Sequence, residues 1–434
     1  MNYKNRDQLV LRKIIPISIL FQSGMIFYSL MPSIAIAVVS FFMFLYYMWC
    51  LKKYFCLADS LLLTSILFIP TSTISILGTS YYSSLPLTWH NLIIIILMLY
   101  IIIEGTLNRS YLIILFLFIC FGISTSMFLP FLIDALKQLM TISLFICSFL
   151  IGKRFKMYSK NLTMIGWNFY FIGVVSMAFQ VYLQRVYILS TGVIIGHYAE
   201  MGLNRIAYAG LMGDFSFAGL YLATGCLYAF LKYVDLKNWK LLFFIIIEVF
   251  LLGAILCVSA RTGLVSLFVT MTLYYLFNIN RISVPHLLVL IGGIITTPYI
   301  LVMLMAGRSG QSLLDSSGRL ENYMSSLNAF SDKYLIGYGL GLNNLYTLLG
   351  VAVPHNFFIQ YLLQTGIIGT LIILSGFFKF TYEELKKSGC YKWLFLMIVV
   401  GAMFIPDIVS SRFLYAIVVL CMISASERTI KKES

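Results

Sequence analysis

Three short polar motifs interrupt a strongly apolar sequence, and each contains residues suited to chemistry on a phosphate-bearing substrate. They are Ser259-Ala260-Arg261-Thr262-Gly263, Ser317-Gly318-Arg319 and Pro354-His355-Asn356. An arginine fork grips phosphate through two parallel hydrogen bonds and keeps its charge beside lipid. A neutral imidazole accepts the proton of an attacking hydroxyl. The motifs therefore predict group transfer with His355 as base, while a helix-capping role for His355 and Asn356 stays open.

The elements that must position these motifs are membrane-spanning helices. The chain has 434 residues, 61% hydrophobic and 11% charged, whereas soluble domains carry about 25% charged residues. Apolar windows of about 20 residues recur from end to end and favour helices over barrel strands. We predict one all-α, polytopic membrane domain, residues 1–434, with about 12–14 transmembrane helices. The spans are predicted at 14–30, 33–51, 57–77, 90–107, 110–129, 131–151, 161–182, 209–231, 241–259, 262–280, 286–305, 356–378, 392–406 and 411–425.

The distribution of basic residues indicates the orientation of the chain. Twenty-two of the 30 basic residues fall in every second connection, which is the pattern of the positive-inside rule. Both termini are therefore predicted to be cytoplasmic, and the net charge of +14 needs no nucleic-acid partner. The eight cysteines fall in apolar spans or cytoplasmic connections, so we expect no disulfide framework.

The other eight basic residues are predicted to face outward, and arginine dominates among them. Six of the 12 arginines but only two of the 18 lysines lie there. The arginines are Arg185, Arg205, Arg261, Arg308, Arg319 and Arg412. Topology alone would not select arginine over lysine, whereas phosphate recognition would. The alternative is that these arginines snorkel or pair with acids such as Glu200, Asp315, Glu321 and Asp407.

Two outward connections are long, at 184–208 and 306–355. Apolar residues at helical spacing from Leu320 to Leu327 predict a short amphipathic helix at about 318–330 in the second, large periplasmic loop. The run Gly337-Tyr338-Gly339-Leu340-Gly341 permits positive φ and close backbone approach. Tyr338 within it is a candidate for substrate binding.

Among the carboxylates that lie in or near spans, Asp214 in Gly213-Asp214-Phe215-Ser216 has the clearest functional context, because it follows shortly after Arg205. No pair of carboxylates has the spacing of a divalent-metal site. We therefore expect no metal and no cofactor, with arginines neutralising a departing pyrophosphate.

The three motifs, in this order and topology, resemble the central signature of the O-antigen polymerase and O-antigen ligase superfamily over about Leu203–Gly369. The resemblance implies a glycosyltransferase of the bacterial inner membrane that uses undecaprenyl-diphosphate-linked oligosaccharides as donor and acceptor at the periplasmic face. Such enzymes invert the anomeric centre without metal. By the same resemblance Arg261 and Arg319 hold the diphosphate, and His355 activates or positions the acceptor. Substrate binding would extend to Arg205, Arg308, Arg185, Asn356, Asp214 and Tyr338, and a chain-length regulator is a further partner that the resemblance allows.

Three functions remain open at this point. A polymerase is favoured, because joining two diphosphate-linked units calls for more outward cation than one diphosphate needs. A ligase that moves the polymer onto lipid A–core is the second candidate. A lipid-linked oligosaccharide flippase is the third, since fourteen spans suit a transporter, although the long outward loop ending in His355-Asn356 does not.

Overall fold

The computed structural model describes residues 3–78, 87–158, 162–200, 206–234, 239–278, 286–287, 291–292, 319–350 and 354–433. In these ranges the regular structure is helical apart from one short hairpin and one isolated β-bridge. The helices are α1 (Tyr3–Gly24), α2 (Ser33–Lys52), α3 (Leu57–Leu67), α4 (Trp89–Ile103), α5 (Arg109–Ser126), α6 (Leu132–Tyr158), α7 (Thr163–Thr191), α8 (Phe215–Tyr233), α9 (Trp239–Val258), α10 (Arg261–Phe277), α11 (Arg319–Phe330), α12 (Leu342–Leu349), α13 (Phe357–Glu383), α14 (Lys392–Ala402) and α15 (Arg412–Glu433). The hairpin pairs β1 (Tyr198–Glu200) with β2 (Ile206–Tyr208) in antiparallel register.

The fold is that of an all-α polytopic membrane protein, as predicted. Among the described residues, eight helices are long and apolar enough to cross a membrane, and five shorter apolar helices accompany them. Together they account for thirteen of the fourteen predicted spans. The remaining span, 286–305, lies almost entirely outside the described residues.

Proline shortens the third predicted span. Helix α3 ends at Leu67, and a 3-10 turn over Ile69–Thr71 follows, with Pro70 inside it. Proline has no backbone N–H to continue the helical ladder. The chain beyond it forms a β-bridge between Ser75 and Thr88, so the expected helix to residue 77 is wrong at its C-terminal end.

Helix α7 is longer than expected. It continues to Thr191 and ends at Gly192, which has φ 71°. A helix of this length carries Arg185 on its last turns, and the connection expected at 184–208 begins only after residue 191.

The long segment before α13 contains the expected amphipathic helix, α11, and a second short helix, α12, that the periodicity did not predict. Residues 306–318 of this segment lie outside the described residues.

Ion pairs join several helices at one end of the bundle, here called the basic end, which carries Lys153, Arg154 and Lys156 on α6. Arg154 Nε lies 3.1 Å from a carboxylate oxygen of Glu104, which follows α4. Lys153 Nζ lies 3.1 Å from Glu384 at the C-terminus of α13. Gln138, on the first turns of α6, lies about 22 Å along that helix from Lys153, because each residue of a helix rises about 1.5 Å. Its side chain bonds to Gln364 of α13, so the start of α13 lies toward the opposite end.

Candidate functional site

Four helices begin side by side at the end opposite the basic end, and their first turns form what we call the N-terminal cluster. Helices α8 and α10 pack so closely there that a Cβ at Gly219 would lie 3.3 Å from the Cβ of Ala260. The ring of Phe413, in the first turn of α15, lies 5.3 Å from the ring of Tyr221 and 6.4 Å from that of Phe217. Helix N-termini carry partial positive charge, so their proximity favours negative charge nearby.

The fourth helix of the cluster, α13, is joined to α15 through Asp407. The Tyr361 hydroxyl donates a hydrogen bond to the Asp407 carboxylate. The Asp407 N–H donates to Gln360 Oε1 at 2.7 Å. Since Gln360 and Tyr361 lie in the first turns of α13, these bonds hold the start of α13 beside the start of α15.

His355 and Asn356 open α13. Asn356 caps the helix, because its Oδ1 accepts from the N–H of Phe358 at 2.9 Å and that of Ile359 at 3.2 Å. Its Nδ2 donates to the Met403 carbonyl at 3.3 Å, after α14. The partly buried His355 accepts a hydrogen bond at its carbonyl from the Tyr323 hydroxyl, 2.8 Å away on α11. Asn356 therefore has the helix-capping role that the sequence left open. The Tyr323 hydrogen bond holds α11 against His355.

Arg261 is the first residue of α10, and its side chain is partly buried. The two preceding residues make the sharp turn from α9, in which Ser259 has φ 58°. The Ser259 N–H donates to the Ile255 carbonyl at 3.2 Å and to the Leu256 carbonyl at 3.0 Å, which closes α9. A left-handed non-glycine residue costs about 1–2 kcal/mol, and this turn brings Arg261 into the N-terminal cluster.

Asp407 and Arg412 lie in a second polar turn at the cluster. The site residues predicted from the sequence did not include this turn. Asp407 has φ 48°, and Arg412 is the first residue of α15. Burial raises the pKa of the Asp407 carboxyl from 3.8 to about 6, against the opposing effects of the Tyr361 hydrogen bond and the Arg412 charge. The sequence named Asp407 only as an acid that could pair with an arginine. The feature of the sequence that could have identified this turn is an aspartate and an arginine in one short gap between two apolar spans.

Three buried glutamines connect the long segment to this turn. The Gly341 N–H donates to Gln138 Oε1 at 2.6 Å. Gln138 and Gln364 exchange hydrogen bonds at 3.0 and 2.9 Å, and Gln360 Nε2 donates to Gln364 Oε1 at 3.1 Å. Since Gln360 also receives the Asp407 N–H, one chain of amides runs from the glycine run to the Asp407 turn.

The glycine run pairs with a break in α13. Gly366 has φ 59° and interrupts the helix. The N–H groups of Tyr338 and Gly339 each donate at 2.8 Å to carbonyls beside this break, those of Leu363 and Gln364. The Ile367 N–H returns a bond of 2.8 Å to the Tyr334 carbonyl.

Side chains would not fit where these two stretches meet. A Cβ at Gly337 would lie 2.5 Å from the nitrogen of Gly366. The positive φ and close backbone approach predicted for the glycine run are therefore confirmed, and the backbone that it approaches is that of α13.

The other expected binding residues are placed as follows. Arg185 Nη1 donates to the thiol of Cys257 at 3.1 Å, near the end of α9. Asp214 caps α8, since Oδ1 accepts from Ser216 at 2.7 Å and from Phe217 at 3.0 Å. This cap places Asp214 at the N-terminal cluster, one helix away from Arg261.

Tyr338 contacts the chain itself. Its hydroxyl donates to the Ala329 carbonyl at 2.9 Å, and Lys333 Nζ lies 5.0 Å from its ring centre. Arg205, Arg308 and the side chain of Arg319 lie outside the described residues.

No group of three or more His, Cys, Asp or Glu side chains in the described part of the chain is arranged to hold a metal ion. The positive charge that the described residues bring to the N-terminal cluster comes from arginine and from helix N-termini.

A protein-family model described as O-Antigen ligase matches residues 206–374. The match begins at β2, includes α8, α10 and the long segment, and ends within α13, so it contains Arg261, Arg319 and His355 but not Asp407 or Arg412. None of the curated proteins compared with the chain matches it. Over residues 206–374 the chain is therefore similar to the O-antigen ligase family, and this match supports the resemblance to the O-antigen polymerase and O-antigen ligase superfamily that the three sequence motifs predicted.

Proposed function

We propose that the chain is an O-antigen polymerase, a glycosyltransferase that joins undecaprenyl-diphosphate-linked repeat units. The observation that carries this proposal is the N-terminal cluster, in which the starts of α10, α8, α15 and α13 are neighbours in that order. Arg261 and Arg412 are the first residues of α10 and α15. Helix N-termini and arginine forks both favour diphosphate, the group common to donor and acceptor.

The reaction assigned to the cluster is a single displacement. A hydroxyl of the acceptor sugar attacks the anomeric carbon of the donor, and the bond from that carbon to the diphosphate oxygen breaks with inversion. His355 accepts the hydroxyl proton. Arg261 and Arg319 stabilise the charge that develops on the departing undecaprenyl diphosphate, which is the role a divalent cation has in other diphosphate chemistry.

Asp407 is assigned a positioning role in this scheme. Its carboxylate accepts from Tyr361 and lies near Arg412, so it orients the start of α15 relative to His355, which precedes the N-cap of α13. The strained φ of 48° at Asp407 supports a positioning role, because such strain persists where neighbouring bonds hold it.

The reaction is proposed to occur at the periplasmic face of the bacterial inner membrane, with both termini cytoplasmic. Support comes from the separation of the basic end from the N-terminal cluster along α6 and α13. The positive-inside rule assigns the basic end to the cytoplasm.

The ligase is the second candidate, and the description of the matching family model favours it. The polymerase is preferred because Arg185, Arg205, Arg308 and Arg412 add outward charge beyond Arg261 and Arg319. Mutual repulsion of so many cations is best relieved by two diphosphates.

The decisive experiment uses purified protein and lipid-linked repeat units, with no nucleotide sugar, energy source or added metal. A polymerase lengthens the glycan on its lipid carrier. A ligase leaves it unchanged but transfers it when lipid A–core is added, and that result would replace the first proposal by the second. Failure of both transfers, by protein that is folded and binds the substrates, contradicts both.

Deletion of the gene in its native host gives an independent answer. Loss of a polymerase leaves lipopolysaccharide capped by a single repeat unit. Loss of a ligase leaves the core bare while polymer accumulates on its carrier.

A further inference from the structure

A charged cleft of about 530 Å³ lies at the basic end, between the C-termini of α6 and α13, far from the N-terminal cluster. Its charged lining residues are Lys153, Lys156, Glu383, Glu384, Lys386 and Lys387. Four ammonium groups thus face two carboxylates, and the cleft is net positive.

A buried carboxylate organises one wall of the cleft. The Glu384 side chain is only 1% exposed, and it accepts from Lys153 Nζ at 3.1 Å and Lys156 Nζ at 2.5 Å. Glu383 pairs with Lys153 at 3.1 Å and with Lys379 at 3.7 Å. These pairs hold the ammonium groups of Lys153 and Lys156 in place, so the two lysines are pre-organised for a second, external anion.

The other two lysines of the cleft take no part in those ion pairs. Lys386 and Lys387 form a 3-10 turn directly after α13. Lys386 Nζ lies 5.6 Å from the ring centre of Tyr382, which is part of the cleft lining. Lys386 and Lys387 are therefore the residues whose charge is available to an anion in the cleft.

An exposed apolar stripe on α13 leads to this cleft. Leu371, Phe378 and Tyr382 are 56%, 66% and 77% exposed. Their spacing of seven and four residues places them on one helix face, and Tyr382 borders the lysines. A charged cleft at the end of an apolar stripe matches an amphiphile better than it matches a soluble anion.

We propose that this cleft binds the headgroup phosphate of an anionic glycerophospholipid, with an acyl chain along the α13 stripe. Basic clefts between transmembrane helices favour such headgroups. The site is separate from the proposed transfer reaction and does not depend on it.

The test measures the thermal stability of the purified, delipidated protein as phosphatidylglycerol is added, with phosphatidylcholine and inorganic phosphate as parallel probes. We expect a saturable rise in Tm with phosphatidylglycerol alone. An equal rise with phosphatidylcholine contradicts a site for anionic headgroups, and an equal rise with inorganic phosphate contradicts a lipid as the ligand.

The variant Lys386→Gln/Lys387→Gln locates the site. Each lysine near an anionic headgroup contributes about a fivefold factor, so the pair predicts a roughly 30-fold loss of affinity for phosphatidylglycerol. The matched control is Lys52→Gln/Lys53→Gln, two exposed lysines at another turn with the same loss of charge. Equal lipid affinity of the cleft variant and the control would overturn the proposal, and so would a drop in Tm that is the same with and without lipid.

Discussion

Ser259 and Asp407 are the non-glycine residues with positive φ in the described part of the chain. Each precedes an arginine that starts a helix, Arg261 on α10 and Arg412 on α15. Strain of this kind costs of order 1–3 kcal/mol and persists only where the surroundings hold it. At the residue scale, therefore, the two turns that bring arginine to the N-terminal cluster are strained, and each lowers the free energy of unfolding.

The Arg261→Lys variant should insert normally and lose most glycosyl transfer. Lysine keeps the charge but not the two-pronged fork, and a lost charge-assisted hydrogen bond costs about 1.5–3 kcal/mol, or roughly 10- to 100-fold in rate. The matched control is Arg109→Lys, because Arg109 also starts a helix but is exposed and outside the cluster. The measurement is the length and amount of polymer at equal expression. Normal polymer from Arg261→Lys would mean that Arg261 only helps to set the membrane topology.

The His355→Gln variant should fold and lose transfer by about 10²–10⁴-fold, the usual contribution of a general base. Stability should change little, because the described side-chain cap of α13 is made by Asn356. Asn356→Ala is the counterpart and should lower stability by about 1 kcal/mol. Substantial transfer by His355→Gln would show that the residue positions the acceptor by hydrogen bonding.

Asp407 gives the protein a pH-dependent stability of predictable sign. Its pKa is raised in the folded state from 3.8 to about 6, chiefly by burial. The folded protein therefore binds the proton more tightly than the unfolded chain, and stability falls as pH rises through this interval. The Asp407→Asn variant has no carboxyl to titrate and should not show this fall. The Tm of the wild type should therefore decrease relative to that of the variant as the pH rises from about 4 to about 6. A difference independent of pH would mean that the carboxyl titrates at its ordinary value.

At the scale of elements, the key contact is between two pieces of backbone. The segment containing Gly337 and Gly339 pairs with α13 where Gly366 breaks the helix. Carbonyl groups released by a break in a transmembrane helix need donors. The segment supplies them, and the glutamine chain carries its position to the Asp407 turn.

Gly366→Ala should strongly destabilise the protein, because Gly366 combines φ 59° with main-chain atoms of Leu335 in direct contact. Gly350→Ala is the matched control. Gly350 has nearly the same φ, 61°, with ψ 11° in the ordinary left-handed region, and a Cβ there would meet nothing within 4 Å. Only the conformational cost of about 1–2 kcal/mol applies to it. Gly366 has ψ −167°, a conformation essentially confined to glycine, in addition to the Leu335 contact. Equal Tm losses for the two variants would refute the backbone contact.

The sequence predicted the helices well because their signal is compositional. Apolar runs of spanning length and alternating basic connections need no knowledge of contacts, and α11 has a clear helical period. Helix α3 ended early at Pro70, and α7 ran past its predicted end because Gln184 and Arg185 are polar but still helical.

The site was only partly predictable for a different reason. Arg261 and His355 stand in recognisable motifs, but Asp407 gains its place from Tyr361 and Gln360, 46 and 47 residues earlier in the chain. The meeting of Gly337 with Gly366 is likewise a tertiary contact that no local pattern contains. Sequence spacing identifies candidate residues, but it does not say which of them touch.

At the scale of the whole molecule, the basic end and the N-terminal cluster should face opposite compartments. Single cysteines at positions 319 and 355, on a cysteine-free background, should react with an impermeant thiol reagent from the periplasm. Cysteines at positions 153 and 386 should react only after lysis, as the positive-inside rule requires. Labelling of position 355 only after lysis would invert the orientation and remove the periplasmic site together with it.

The convergence of the first turns of α8, α10, α13 and α15 has a consequence for how this molecule can evolve. Peptide dipoles belong to the main chain, and no point substitution removes them while the helices persist. In the proposed reaction, the part of the affinity for diphosphate that comes from helix starts is therefore inherited with the fold, whatever side chains surround it. Under the same proposal, side chains that contact the sugar can change toward a new glycan while binding of the shared diphosphate is kept at each step.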